Sequence, residues 1–236
     1  MTIKILFDNK KLDRTFLAGW GVSYLIGNKI LFDTGEAPGC LFNNIDRMAI
    51  KIDDIEAVVI SHDHFDHTGG LWEMLQKRPG IDLYIYAGFS KEFKDKARTY
   101  KCNVIETNPF MKIGDGIYTT GQIEERSGRD YIMEQALVLE TEKGLTIMTG
   151  CAHPGIITIV ERVKEHTKKD IYLVMGGFHL MGSPARKLLD INNRLRELGV
   201  QCVGPAHCSG EDAESVFKKS YKKNYIDVMV GRTIEV

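Results

Sequence analysis

Ten short apolar runs of strand length recur along the chain, and they constrain its fold more than any other feature. Several are continuous rather than alternating, as in strands buried on both faces. The runs lie at residues 3–7, 29–33, 57–61, 83–87, 103–107, 136–140, 145–149, 171–175, 202–204 and 226–230. Helical patterns occupy residues 68–78, 155–167, 184–199 and 211–221. This alternation predicts a layered α/β protein whose sheets are covered by helices.

Two turns and the absence of a linker refine this prediction. Gly27-Asn28 predicts a tight hairpin, and the segment 136–149 reads as a second hairpin. The chain has 236 residues with no Pro, Gly or Ser-rich spacer and no repeat. We therefore expect one domain over residues 1–236.

Charge and composition exclude several classes of protein. The net charge of −1 and the isoelectric point near 6.7 provide no general attraction to nucleic acid or to an anionic membrane. No apolar run reaches the roughly 20 residues of a membrane span, and the first residues do not resemble a signal peptide. The five cysteines are scattered without a CxxC pair, which favours reduced thiols. We expect a cytoplasmic protein that binds neither nucleic acid nor membrane, and the oligomeric state stays open.

The densest chemistry in the chain lies at residues 61–70, SHDHFDHTGG. This stretch joins a buried strand to a helical pattern, and loops in such places commonly carry function. Imidazole nitrogens and carboxylate oxygens together suit zinc, iron or manganese. His62 and His64 are predicted to point one way and Asp66 and His67 the other, which would create two adjacent metal sites. The alternative, a solvated polar loop, fits poorly with the buried strand before it and the Thr-Gly-Gly after it.

These residues also resemble a known family. HDHFDH resembles the HxHxDH signature of the metallo-β-lactamase superfamily, and LFDTG (31–35) is similar to its early strand end, where Asp33 would brace the histidine loop. The segments at 148–155, 175–180 and 204–210 resemble the branch that contains dihydropterin-methyl-ribofuranosylaminobenzene-phosphate synthase. The resemblance, which extends over almost the whole chain, implies a four-layer αβ/βα sandwich, with two mixed sheets flanked by helices and metals at one edge between the sheets.

Four of the seven histidines lie outside the loop. His166 lies in a charged helix end and is predicted to be solvated surface. His153, His179 and His207 each follow a strand run and have Gly or Pro nearby. For His179 we expect action on the substrate, as a proton donor or oxyanion contact, with a structural or ligating role as the alternatives.

The resemblance implies two divalent ions, with Zn²⁺ expected and Mn²⁺ or Fe as alternatives. It assigns them six ligands: His62, His64 and His153 on the first ion, and Asp66, His67 and His207 on the second. Asp66 is also expected to orient the nucleophile, and Asp33 and Asp63 are candidates to hold the second ring nitrogens of the histidines.

The chain departs from the superfamily pattern at two places. Cys151 stands where many members carry a bridging aspartate, and it is either a thiolate ligand or a small buried residue. Glu134-Gln135 replaces the usual third-histidine motif. These departures leave two alternatives: equal metal affinity at both sites, or weaker affinity at one of them.

Two ions that share a water predict hydrolysis by a hydroxide on a small ester. The resemblance implies a phosphoester or cyclic phosphate, with Arg129, Arg186 and Lys187 as phosphate contacts or merely solvated cations. The expected partner is therefore a small anionic or phosphorylated substrate. The alternatives are a di-iron redox or oxygen-sensing protein and a metal-bound binding protein without turnover.

Overall fold

The computed structural model describes residues 1–124 and 132–236. These residues divide into two compact units. The first unit comprises Met1–Asn108 and Met229–Val236, and the second comprises Pro109–Val228. The expectation of one domain over the whole chain stays a prediction.

The first unit contains a mixed seven-stranded sheet. Its strands are β1 (Thr2–Phe7), β2 (Ser23–Ile26), β3 (Ile30–Phe32), β4 (Ala57–Val59), β5 (Asp82–Tyr86), β6 (Asn103–Thr107) and the last strand of the chain, β13 (Thr233–Glu235). The order is β13-β1-β2-β3-β4-β5-β6, antiparallel up to β3 and parallel from β3 to β6. Its helices are α1 (Pro38–Arg47), α2 (Phe65–Thr68), α3 (Leu71–Lys77) and α4 (Lys91–Thr99).

The parallel pairing of β3 with β4 positions the histidine loop. Because the two strands run in the same direction, the residues that follow them emerge at the same edge of the sheet. Asp33 follows β3, and Ser61 begins the histidine loop shortly after β4. Residues that are 28 positions apart in sequence therefore meet.

The second unit contains a mixed six-stranded sheet. Its strands are β7 (Met111–Gly114), β8 (Ile117–Thr119), β9 (Leu137–Thr141), β10 (Gly144–Thr149), β11 (Ile171–Gly177) and β12 (Cys202–Ala206). The order is β12-β11-β10-β9-β8-β7, with β10, β11 and β12 mutually parallel. Its helices are α5 (Ile156–Thr167), α6 (Ala185–Glu197) and α7 (Glu211–Tyr221). The loops that carry Cys151, His179 and His207 follow the three parallel strands and so share one edge.

Apolar side chains from both layers form the core of the second unit. Phe178, at the end of β11, packs edge-on against Phe217 of α7 with ring centroids 5.7 Å apart. Ile159 and Val163 of α5 and Leu195 of α6 are buried in the same cluster. The amphipathic helices thus cover the sheet and hold the ends of its parallel strands in place.

The predicted mixed sheets flanked by helices are confirmed, as are both hairpins. Gly27 and Asn28 both have positive φ, at 55° and 62°, as a type I′ turn requires. The predicted helix at 68–78 is shorter than expected, because α3 spans Leu71–Lys77 and Thr68 is the last residue of the separate helix α2. The predicted strand at 226–230 is wrong, because the unit boundary falls inside this run and its two ends bond to different partners. Ile226 N–H donates to Val203 O, whereas Val230 N–H donates to Lys10 O.

Within the described residues, no helix combines the length and the apolar character that crossing a bilayer requires.

Candidate metal centre

The histidine loop leaves β4 and turns directly into α2. Asp66 and His67 are buried in α2, and His64 is the residue that precedes it. The hydroxyl of Thr34 and its N–H both donate to His67 O, at 2.8 and 2.9 Å. Thr68 donates its hydroxyl to His64 O at 3.0 Å. Thr34 and Thr68 therefore stabilise the loop backbone at His67 and His64.

Asp33 is fully buried and accepts three hydrogen bonds from this loop. Ser61 donates its N–H to Oδ1 and its hydroxyl to Oδ2, both at 2.7 Å. His67 Nδ1 lies 2.7 Å from Oδ2, and because an ionised carboxylate only accepts, this nitrogen carries a proton. In a neutral His67 the lone pair is then on Nε2. The prediction that Asp33 braces the loop is confirmed, whereas Asp63 is exposed and forms no hydrogen bond within the described parts of the chain.

The same network determines the tautomer of His62. Since the Ser61 hydroxyl hydrogen goes to Asp33, the hydroxyl oxygen is the acceptor for His62 Nδ1 at 2.9 Å. The lone pair of His62 is therefore on Nε2, which lies 3.1 Å from His64 Nδ1. Both rings thus direct a nitrogen to one point.

These separations fit a metal ion. Two nitrogen ligands of a tetrahedral zinc ion, each about 2.0–2.1 Å from the metal, are about 3.3 Å apart. The 3.1 Å between His62 Nε2 and His64 Nδ1 is close to this value. His67 Nε2 and Asp66 Oδ2 are 3.6 Å apart, so they too can contact one ion. The donor set of the first unit therefore suits divalent metal binding.

Two glycines allow neighbouring backbone to press against the loop. A Cβ on Gly21, which has a φ of 121°, would lie 2.0 Å from Asp66 O. A Cβ on Gly69 would lie 2.0 Å from Glu36 O. A larger residue at position 21 would therefore displace the backbone of Asp66, and one at position 69 would displace the backbone of Glu36.

The second unit brings four predicted residues to the edge of its sheet. Ligand atoms of Cys151, His153 and His179 all lie within 4.8 Å of one another, and those of Cys151 and His207 are equally close. The rings of His153 and His179 are tilted, with centroids 4.5 Å apart. Cys151 and His207 are buried, whereas His179 is exposed, as expected for a residue that acts on a substrate. Assignment of these residues as ligands or catalytic groups remains a prediction.

Left-handed backbone conformations occur at residues of the candidate site. Asp33, Ala152, His179 and His207 have φ between 49° and 59°. Such conformations cost a non-glycine residue of order 1–2 kcal/mol and commonly occur at functional sites. The surrounding structure therefore stabilises left-handed conformations that are unfavourable for these residues in isolation.

Sequence reasoning gave no role to Glu134, which the structure places at the centre of this region. Its side chain is fully buried, and its carboxylate accepts hydrogen bonds from four consecutive backbone N–H groups, those of residues 150–153. The sequence signal for a role of Glu134 was its position before β9, where Glu134-Gln135 replaces the usual third-histidine motif. The residue that replaces that motif therefore supports the loop of Cys151 and His153.

Cys208 lies in the same region, beside His207. Its thiol is buried and lies 3.7 Å from Cys151 O. Burial by itself would raise the pKa of this thiol, but hydrogen bonds with Cys151 and His179 and the nearby His207 hold it well below its usual value. The second unit thus contains two thiols beside its candidate histidines.

The predicted phosphate contacts divide into three cases. Lys187 lines a cavity of about 300 Å³ in the second unit together with His153 and His179. Arg186 is exposed and lies 3.9 Å from Asp190. Arg129 lies outside the described residues.

His166 is exposed, as predicted, and its ring stacks on Phe110 with centroids 3.6 Å apart.

Known proteins resemble this chain in sequence. The family model described as the metallo-beta-lactamase superfamily matches residues 21–126. A protein of Methanocaldococcus jannaschii named 7,8-dihydropterin-6-methyl-4-(beta-D-ribofuranosyl)-aminobenzene-5'-phosphate synthase is 27% identical over 93% of this chain and 91% of its own. The uncharacterised protein MJ0448 of the same organism is 29% identical over 99% of this chain and all of its own.

A solved structure extends the match to the fold. The crystal structure of Tm1679, a metal-dependent hydrolase of the beta-lactamase superfamily, has a TM-score of 0.84 to this chain. The two are 29% identical, and the alignment covers 100% of this chain and 99% of Tm1679. In sequence over residues 21–126 and in fold, this chain is similar to the metallo-beta-lactamase superfamily.

Proposed function

We propose that this protein is a metal-dependent hydrolase of a small phosphoester or cyclic phosphate. The proposal assigns two divalent ions to six ligands: His62, His64, Asp66, His67, His153 and His207. Zn²⁺ is the expected metal, with Mn²⁺ or Fe as alternatives. The observation that carries it is the position of His62 Nε2, 3.1 Å from His64 Nδ1, in a loop whose tautomers are determined by buried Asp33. Such second contacts of metal-binding histidines orient the ring and raise its basicity.

Bound divalent ions supply Lewis acidity and lower the pKa of a coordinated water. The chain supplies the orientation. Asp66 is buried beside His67, and its carboxylate can accept a hydrogen bond from a water and so direct the lone pair of that water to the substrate. His179 is exposed on the loop after β11 and has a ring that can donate a proton to a leaving oxygen.

The preference for a phosphorylated substrate depends on chemistry in the second unit. Lys187 and His179 line the same cavity, so a cation and a proton donor meet in one recess. A relative over 93% of this chain is named as the synthase of a 5'-phosphate. An anionic phosphate in this cavity would be attracted by the ammonium group of Lys187.

The test begins with metal analysis of anaerobically purified protein. Activity is then assayed on phosphodiester, phosphomonoester and lactone substrates in the presence of Zn²⁺, Mn²⁺ or Fe²⁺. We expect about two ions per chain and hydrolysis of a phosphoester, with activity lost in Asp66→Ala. Fewer than two ions in every preparation, together with full activity of Asp66→Ala, would refute the proposal. Bound iron with visible absorbance and no esterase activity would instead favour a redox protein.

A further inference from the structure

The carboxylate of Glu134 has a contact set that is more specific than core packing requires. Oε1 accepts N–H hydrogen bonds from Gly150, Cys151 and Ala152, each at 3.0 Å, and Oε2 accepts one from His153 at 2.8 Å. The Glu134 backbone is itself held by two hydrogen bonds with Ile123, at 2.9 and 3.1 Å. These backbone hydrogen bonds therefore fix the position from which the Glu134 carboxylate contacts the loop.

Four consecutive N–H groups that converge on one anion form a backbone nest. Ala152 contributes the left-handed residue of this nest, with a φ of 59°. Without an anion, these buried N–H groups would repel one another and lack acceptors. A carboxylate suits the nest because both of its oxygens accept, whereas a glutamine would place an NH₂ donor against at least one N–H.

The loop held in this way carries two side chains of the candidate metal centre. Cys151 and His153 leave the nest with ligand atoms within 4.8 Å of each other and of a ligand atom of His179. If the hydrogen bonds to Glu134 are lost, the backbone dihedral angles of residues 150–153 can change. The side chains of Cys151 and His153 would then turn, and their donor atoms would separate. We propose that Glu134 is a positioning residue that holds His153, one of the six ligands named above, and Cys151, which this inference adds as a seventh ligand. This inference rests on the proposed function, because it requires that the protein binds metal.

The test compares Glu134→Gln with wild-type protein and with Thr119→Val. Thr119 is fully buried in the same unit, donates to Gln135 Oε1 at 2.6 Å and accepts from Gly121 N–H at 3.2 Å. The valine variant thus removes a buried hydrogen bond to Gln135, the residue next to Glu134, and leaves the hydrogen bonds of residues 150–153 in place. Circular dichroism establishes that each variant is folded, and competition with a chromophoric chelator measures the affinity for Zn²⁺ and Co²⁺.

We expect Glu134→Gln to bind metal about 10–100-fold more weakly, the usual effect of losing a group that orients ligands. The absorption spectrum of the Co²⁺-loaded protein should also change, and its sulfur-to-cobalt charge-transfer band should weaken, because Cys151 leaves the ion. Thr119→Val should retain the affinity and the spectrum of wild-type protein. Wild-type affinity and spectrum in Glu134→Gln would overturn the inference, as would an equal loss in Thr119→Val.

If the glutamine variant does not fold, Glu134→Asp provides the same comparison. Its carboxylate keeps the charge but is withdrawn by about 1.5 Å, one C–C bond, so it cannot make all four contacts. We expect weaker metal binding in this variant too, and unchanged binding would overturn the inference. Failure of the proposed function gives a different result, since wild-type protein itself would then not bind two ions.

Discussion

Asp33→Asn replaces one carboxylate oxygen, beside the histidine loop, with an NH₂ group. The asparagine can still accept the Ser61 N–H through its carbonyl oxygen, and asparagine tolerates the φ of 56° at this position. Its NH₂ group, however, replaces the oxygen that accepts from the Ser61 hydroxyl and from His67 Nδ1. His67 then avoids a donor–donor contact by moving its proton to Nε2, the nitrogen that we assign to the metal.

The structure allows the effect to be estimated. Two of the three hydrogen bonds to Asp33 are lost or reversed, and loss of such a second contact costs about 10–100-fold in metal affinity. Since each tenfold step is about 1.4 kcal/mol, binding should weaken by about 1.4–2.7 kcal/mol. The metal-free protein should lose about 1–3 kcal/mol of unfolding free energy, the cost of buried polar groups without matching partners.

Chelator competition measures the affinity, and urea unfolding in the presence of EDTA measures the stability of the metal-free protein. Asp8→Asn is the matched control, because Asp8 is 1% exposed in the same unit and accepts the Lys10 N–H at 3.1 Å. This variant makes the same chemical change at the end of β1, which β2 separates from β3, and we expect it to keep wild-type metal affinity. The tautomer reasoning would be refuted if Asp33→Asn bound Zn²⁺ with wild-type affinity, or if Asp8→Asn lost as much.

Three further predictions concern a side chain of the candidate site, a glycine contact and a buried phenol. His179→Ala should keep the full metal content while turnover falls about 100-fold or more, which metal analysis and initial rates would measure. Gly21→Ala should lower the unfolding free energy by about 1–3 kcal/mol, because its Cβ would lie 2.0 Å from Asp66 O. Gly80→Ala, at a φ of 84° with no atom within 4 Å of the new Cβ, should cost less and leave metal binding unchanged. Burial raises the pKa of Tyr221 to about 12, above its usual 10, so the folded protein keeps this proton where the unfolded chain loses it. Stability should therefore fall as pH rises from 10 to 12, and Tyr221→Phe should lack that part of the decline in urea titrations.

Each of these predictions has an outcome that contradicts it. Loss of metal in His179→Ala would make His179 a ligand rather than a proton donor. Equal destabilisation of Gly21→Ala and Gly80→Ala would mean that backbone strain, and not the contact with Asp66, limits position 21. A parallel decline of wild-type protein and Tyr221→Phe between pH 10 and 12 would remove Tyr221 as the cause.

Several parts of the fold could be predicted because their signals are local. The Gly27-Asn28 turn joins two adjacent strands, and its residue types permit the positive φ that the turn needs. Two helices gave weaker signals and were missed. In α4 only Phe93 and Ala97 are buried among charged residues, so its apolar period is short, and α1 begins with Pro-Gly, a pair typical of loops.

By itself, the sequence determined where metal chemistry is to be expected, since six adjacent residues, HDHFDH, contain the donor atoms of a candidate metal-binding loop. Only the tertiary structure decided which groups orient those donors. Asp33 reaches His67 across 34 residues because β3 and β4 are parallel and end at one edge. Glu134 reaches residues 150–153 because the β9–β10 hairpin returns the chain to it. Both contacts depend on strand pairing between separate segments, and apolar periodicity carries no information about which strands pair.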